Sequence, residues 1–273
     1  GIDRDTLSQA ICNKIISASK NFRPYSLWSN DTLSADKFSP ERGTLLISLI
    51  HLPLDSVTFS KIRRHGNFTK AYLSNAHLEG TDLRNIDLRG SDLSNAQLNH
   101  ANLTHANLSN CNLMNASIRN SQLSNVTLEY SNLRWTDLSS STLYSANLNA
   151  ADLSNAKLDH ANLSKAEIKW AKITTASFDH SNLNETVLYA SKMHKAIMTN
   201  ATLHQTNLSL ANLKDVDFTG ASIDNIGVGE ENWMQMLSEW NVSGLQALKS
   251  EFEVVKDSSG KFLFVLKKKH LPF

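Results

Sequence analysis

From Phe68 onward the apolar residues of this chain fall into step. Phe68, Leu73, Leu78, Leu83 and every fifth residue after them, through Leu213 and Phe218 to Ile223, are Leu, Ile, Phe or Met: 32 positions without an insertion or deletion, with Val228 one further step in phase. Of the residues two places before these centres, 17 of the 32 are Ala, and most of the rest are Ser, Thr, Gly, Cys or Val. The remaining three of each five are polar and variable, with Asn, Asp and Ser the commonest. A period of five matches neither the period of about 3.6 of an amphipathic helix nor the simple alternation of a flat strand. It requires a backbone that turns regularly and returns every fifth side chain to an interior. If four fives close one square coil, each side recurs after about 20 residues. Large side chains then stack in columns, and the small residue before each one lets opposite walls approach.

The segments outside the repeat read differently. Asp5 or Thr6 can cap a helix with Leu7, Ile11, Ile15 and Ala18 on one face, ended by Arg23-Pro24. Residues 29–43 read as a polar linker, and 44–54 as an apolar segment that packs on the first coil. Phe59 and Ile62 lead into the repeat. After it, Gly227 and Gly229 break the pattern, and 230–240 starts a short helix with Trp233, Met236, Leu237 and Trp240 on one side. Covering the last coil is preferred over a partner groove as the reading of that stripe. Residues 252–266 form two β-rich runs joined by turn residues, a hairpin, and 267–273 form a basic, exposed end. A coiled solenoid has open ends that need covering. The expected division is therefore an N-terminal cap at 1–65, the repeat at 66–228, and a C-terminal capping helix and hairpin at 229–273. Gly1, standing where Met would start a chain, reads as the edge of a fragment, and no signal peptide is expected there.

The recurring Ala, then Asp or Asn, then Leu, then two variable positions resembles the pentapeptide-repeat family over about 66–228. The resemblance implies an all-β fold, a right-handed quadrilateral β-helix of about eight coils and roughly 38 Å in length, here with a helical N-terminal cap and a C-terminal helix plus β-hairpin. The β-helix followed by WMQMLSEW at 233–240 and SGKFLFVLKKKHLP at 259–272 also resembles the region after the β-helix in bacterial type III secreted effectors, including those with HECT-like ubiquitin ligase activity. That resemblance implies a module that binds a host protein after delivery from the bacterium into the host cytosol. Without it, the expected location is the bacterial cytoplasm. Catalysis in that class needs a Cys in a large carboxy-terminal lobe, and neither Cys12 nor Cys111 sits in a counterpart of that motif.

Charge bears on the alternative. The best-known activity in the pentapeptide-repeat family is mimicry of duplex DNA by an acidic rod that occupies a bacterial topoisomerase, which demands a dense negative field. The whole chain carries +1, and 66–228 holds 12 Lys and Arg against 14 Asp and Glu, a balance of −2. A gyrase binder therefore stays the minority reading, beside self-association of a structural protein through the C-terminal helix. No nucleic-acid partner is expected, and no apolar run reaches the roughly 18 residues of a membrane span.

Candidate chemistry is sparse. Two cysteines make no disulfide framework, and Cys111 stands at a small inward position. His100, His160 and His180 share one side, with His160 and His180 one coil apart, but two imidazoles without a third ligand are a poor zinc site. There is no phosphate loop, GxGxxG, HExxH or paired CxxC. No cofactor, metal or enzymatic activity is expected.

Function then rests on the outer walls. Over Leu128, Leu148, Ile168, Leu188 and Leu208, the second outward position reads Tyr130, Ala150, Trp170, Ala190, Leu210, flanked by Val187 and Tyr189. Other walls carry Asn, Ser, His or Lys there. Contiguous apolar surface marks interaction sites, and Tyr and Trp are frequent binding hot spots. The adjoining wall carries Lys172, Lys192, His194, Lys195 and Lys214, with Trp135 two coils earlier, a basic border suited to an acidic partner surface. Tyr130, Trp170, Tyr189 and Leu210 are the expected anchors, with Val187 beside them and Lys172, Lys192 and Lys195 at the rim.

Overall fold

A computed structural model of the chain describes residues 9–29, 32–244 and 249–269. From Tyr72 the backbone pairs in parallel with itself at a constant offset of 20 residues, from Tyr72↔Asp92 to Asn207↔Gly227. All 32 repeat centres are buried, and with the Ala, Val, Ile and Cys residues two places before most of them they form one continuous hydrophobic core.

One five-residue step shows how the sequence produces the coil. The N–H of Leu148 donates to Glu167 O at 2.7 Å, and the N–H of Glu167 donates back to Ala146 O at 2.9 Å, so each coil is bonded to the next through backbone alone. The N–H of Ala151 closes the turn on Leu148 O at 3.1 Å. The residue two places after each centre takes positive φ, as at Asn155 (61°) and His160 (59°). Left-handed backbone strains most side chains but suits Gly, Asn and Asp, which accounts for the many Asn residues there. Asp or Asn just before a centre accepts from the amide two residues on, as Asp92 does from Ser94 N at 3.0 Å, a local turn that these side chains favour.

Most of the small polar residues that replace inward Ala bond their buried hydroxyls to a carbonyl of the preceding coil, while Ser181 Oγ is buried without a partner. Ser131 Oγ donates to Leu108 O at 2.6 Å, Thr136 Oγ1 to Leu113 O at 2.8 Å and Ser141 Oγ to Ile118 O at 2.5 Å, each reaching 23 residues back. Cys111 follows the same geometry, its Sγ 3.0 Å from Leu88 O. Burial pushes its thiol up to about 12, so it is an inert packing group.

The N-terminal region is more structured than a helix and a linker. Helix α1 (Gln9–Asn21) is followed by an antiparallel hairpin of β1 (Tyr25–Ser29) and β2 (Thr32–Phe38), where the sequence reads as polar linker. Strand-compatible residues lie on either side of Asn30 and Asp31, and pairing absorbs their backbone groups. Helix α2 (Pro40–His51) begins inside the same stretch, with Pro40 in its first turn and Ser39 Oγ accepting from Arg42 N. Helix α3 (Ser56–His65) was also not apparent from the sequence; Asp55 caps it by accepting from Val57 N and Thr58 N, each at 2.9 Å. The helix expected to bury Ile11 instead buries Cys12, Ile16 and Ser19, and leaves Ile11 46% exposed. The expected cap at Asp5 or Thr6, and Leu7, lie outside the described residues.

Ser39 takes the place of a preceding coil, donating to Lys70 O at 2.7 Å and accepting from Tyr72 N at 3.1 Å. Helix α2 lies flat on the rod at Gly43, where a Cβ would stand 2.1 Å from Tyr72 O. Leu46 and Leu49 seal the first coil.

At the other end, β3 (Thr202–His204) and β4 (Ser222–Asp224) continue the parallel pairing, while β5 (Ile226–Val228) turns to pair antiparallel with β7 (Phe264–Lys268), which in turn pairs with β6 (Phe252–Lys256). Helix α4 (Trp233–Glu239) buries Trp233 and Leu237 against the core. Residues 270–273 of the basic end lie outside the described residues. No helix among the described residues is long and apolar enough to cross a membrane.

Candidate functional site

The 20-residue offset sets Tyr130, Ala150, Trp170, Ala190 and Leu210 in one column on successive coils. Tyr130, Trp170 and Leu210 are 68%, 58% and 60% exposed, and Ala150 and Ala190 between them are half-buried. Each large residue is thus separated from the next by two coil spacings, roughly 10 Å, with a shallow slot over the alanine. All three stand in left-handed backbone, with φ of 58°, 57° and 59°. This is a position where bulky side chains are disfavoured, and more than half of each of the three faces solvent.

Tyr189 is half-buried and meets the Trp170 ring edge-on, centroids 6.2 Å apart at 88°. Val187 is half-buried within the parallel pairing, between Glu167 and Asn207. These two therefore brace the column and present less surface than the sequence implied. The wall is electrically quiet: Glu167 is bonded by Asn149 at 3.0 Å and Lys169 at 3.0 Å, which together hold its carboxyl below the usual range.

The column runs into the C-terminal cap. Leu210 borders a cavity of about 220 Å³ closed by Trp233, Met236 and Trp240 of the α4 region. The aromatic stripe of that helix is split, Trp233 facing the core while Met236 and Trp240 remain half-buried at the cavity.

The neighbouring basic wall is partly neutralised. Lys172 lies 3.6 Å from Asp152, and His194 lies 3.5 Å from Asp215. A hydrogen bond from Asn241 is the main cause of the lowered Asp215 pKa, with His194, Lys214 and Lys195 adding to it. Lys192 and Lys195 are exposed on the same face. His160 and His180 stack at 5.0 Å and 26°, His180 leaning on Asp179 at 2.7 Å. Among the described residues no three His, Cys, Asp or Glu side chains converge as metal ligands.

These observations define a rod of regular coils with capped ends and, among the described residues, a ridged apolar column. The repeats match the pentapeptide repeats family in eight copies, over 66–104, 91–129, 131–168, 141–179, 166–205 and 196–226 among them. The chain belongs to the pentapeptide repeat family, whose members fold as right-handed quadrilateral β-helices and are in general structural or interaction modules rather than enzymes.

Solved structures similar to it include HetL, a pentapeptide repeat protein involved in heterocyst differentiation regulation from the cyanobacterium Nostoc sp. strain PCC 7120. The likeness covers 68% of this chain and 91% of HetL at 22% identity, with a TM-score of 0.24. Rfr23 from the cyanobacterium Cyanothece 51142 is 30% identical over 45% of this chain and 60% of its own, with a TM-score of 0.23. QnrB1, a plasmid-mediated fluoroquinolone resistance protein, is 14% identical over 62% and 93%, with a TM-score of 0.29. No curated protein matches the chain.

Proposed function

We propose that this protein is an interaction module that holds a partner protein against one wall of a rigid β-helix of about eight coils. The observation that carries this reading is the exposed column Tyr130, Trp170, Leu210, three large apolar side chains kept at positive φ where Asn or Gly costs the backbone least. Tyr189 and Val187 brace it, and Lys172, Lys192 and Lys195 form a polar rim. A wall fixed by backbone bonding is ordered before binding, which lowers the entropy lost on association.

The partner is a host protein and the module is part of a bacterial effector that enters the host cytosol. What supports this is the resemblance of 233–240 and 259–272 to the region after the β-helix in type III effectors. The near-neutral rod, at −2 over 66–228, favours this over a topoisomerase-directed mimic of DNA.

The test is capture from host-cell lysate by the intact chain and by a Tyr130→Ala/Trp170→Ala variant side by side, read by mass spectrometry. A protein held by the first and lost from the second is the expected result, since removing hot-spot aromatics costs about 2 kcal/mol or more each. Equal capture by both would remove the column as the binding face, and a supercoiling assay with gyrase would then be decisive for the alternative.

A further inference from the structure

The apolar column has the profile of a comb. Between Tyr130 and Trp170 the surface drops to Ala150, and between Trp170 and Leu210 it drops to Ala190. Beyond Leu210 it drops again. Gly229 lies directly against Leu210, where a Cβ would stand 3.3 Å from Leu210 N, and with no side chain of its own it leaves open one side of the cavity of about 220 Å³ that Met236 and Trp240 flank. Bonded coils are about 4.8 Å apart, so three recesses on every second coil recur at about 9.6 Å. The backbone bonds that set this spacing repeat from coil to coil. The comb is therefore in place before a partner arrives.

A segment that fills all three recesses must repeat along one edge with that period. A β-strand returns to the same face after about 6.6 or 13.2 Å and misses it. An α-helix returns after seven residues, about 10.5 Å, and is out of step by about 2 Å over the three recesses. A polyproline II helix has three residues per turn and rises about 3.1 Å for each, so one edge recurs at about 9.3 Å and stays in step to about 0.6 Å. The ridges suit such a segment as well. Tyr130 and Trp170 offer exposed aromatic rings to pyrrolidine rings, and Tyr189 steadies Trp170 edge-on at 6.2 Å. Charge narrows the partner further. Lys192 is exposed beside Ala190 with no carboxylate in ion-pair distance among the described residues, and Lys172, one coil earlier, shares Asp152 at 3.6 Å. Glu230 lines the last recess. Acidic residues of a partner are thus favoured beside the first two recesses.

We propose that the column receives a polyproline II segment of a partner protein, with Pro at every third position and Asp or Glu between, its prolines seated over Ala150, Ala190 and Gly229. This rests on the column being the binding face, as proposed above, and names the chemistry of what it holds. The segment is extended before binding and has no internal hydrogen bonds to break, so little order is lost on docking. Prolines stand at 24, 40, 53 and 272, no two of them three residues apart, so a second copy of residues 1–273 does not supply it.

Fluorescence anisotropy of a labelled peptide of repeating Pro-Glu-Ala triplets, titrated with the full chain at roughly 0.15 M salt, tests the register. Expected is saturable binding that weakens at least about tenfold in Trp170→Ala and in Ala190→Gln. The second variant fills the middle recess and keeps the backbone, since Gln205 takes the same left-handed position at φ 55°. Trp135→Ala, which removes an exposed Trp off the column, should change nothing. A peptide with one more Ala in each repeat carries its prolines out of step and should bind at least about tenfold more weakly, and Lys in place of Glu should also weaken binding. No binding of the triplet peptide, equal binding of the out-of-step peptide, an equal loss in Trp135→Ala, or tighter binding of a helical peptide with Leu at heptad spacing overturns the proposal. Capture from lysate, measured in parallel, separates the two readings: capture lost in Tyr130→Ala/Trp170→Ala without any peptide binding refutes the polyproline segment and keeps the binding face, whereas capture retained by that variant removes both.

Discussion

Between Phe68 and Ile223 the rod covers 32 large side chains while satisfying its polar groups almost entirely through coil-to-coil backbone bonds, whereas the N-terminal cap takes two whole arginines under cover. Arg42 bonds Ser19 O at 3.3 Å, Phe22 O at 2.6 Å and Thr69 O at 2.6 Å, joining α1, the segment after it and the first coil. Burial disfavours its charge, and Glu41 alongside opposes that effect. A repeating coil always finds the next coil's carbonyl 19 residues on. An irregular cap has no such neighbour, and its loose carbonyls are gathered by a side chain with several donors. Regularity thus replaces side-chain bonding in the rod, and side-chain bonding replaces regularity at its end.

The sharpest way to break this comparison is to empty one column. Leu148→Ala is expected to cost about 4 kcal/mol, near the upper end for such changes, because the bonded coils on either side cannot collapse into the cavity. Urea denaturation measures it, and a loss below about 1 kcal/mol would mean that the coils do relax. Arg42→Met is expected to cost about 2–3 kcal/mol, since water can reach part of the cap once its carbonyls lose their donor. Hydrogen exchange should speed up in α1–α3 and the first coil while amides near Leu148 stay protected; equal acceleration in both would show that cap and rod open as one unit.

A smaller effect concerns acid. The hydrogen bond from Arg84 is the largest cause holding the Asp82 carboxyl at about 2, with the charge of Arg63 adding to it. Because the folded value lies below the ordinary 3.8, its contribution is complete above about pH 4 and fades as pH falls through about 2. Asp82→Asn should flatten that part of the acid response of the cap, seen as loss of α3 protection, and leave the rod unaffected. Least of all should be felt at Trp170. Trp170→Asn is expected to change stability by under about 0.5 kcal/mol, because Asn tolerates the left-handed backbone, while abolishing capture of the partner proposed above. A large stability loss would mean that Trp170 serves the fold through Tyr189 rather than the surface.

How much of this was legible beforehand differs between the parts. The core positions, the stacking of His160 on His180, α4 and the C-terminal hairpin could all be read by counting, since each follows from local period or spacing. The hairpin at Tyr25–Phe38 and helix α3 could not, because their apolar residues are few and neither repeats. Ile11 looked like a core residue on a helical wheel, yet which face of α1 turns inward is decided by what it packs on. Lys172 and His194 read as basic surface, although Asp152 and Asp215, 20 and 21 residues away, partly offset them. The cleft that Ser56, Ser60 and Arg64 of α3 form with Arg84 of the rod could not be read either, because it exists only where a helix without a repeat signal is laid against the coil.

By itself, then, the repeat determined the coil, its core and the ordering of every wall, because one five-residue rule acting through neighbouring backbone leaves a single way to bury each centre. Only the tertiary structure decided how the ends close, which cations pair with carboxylates one coil away and how the α4 cavity continues the column. Those outcomes depend on contacts between segments that share no period, and one-dimensional spacing carries no information about such contacts.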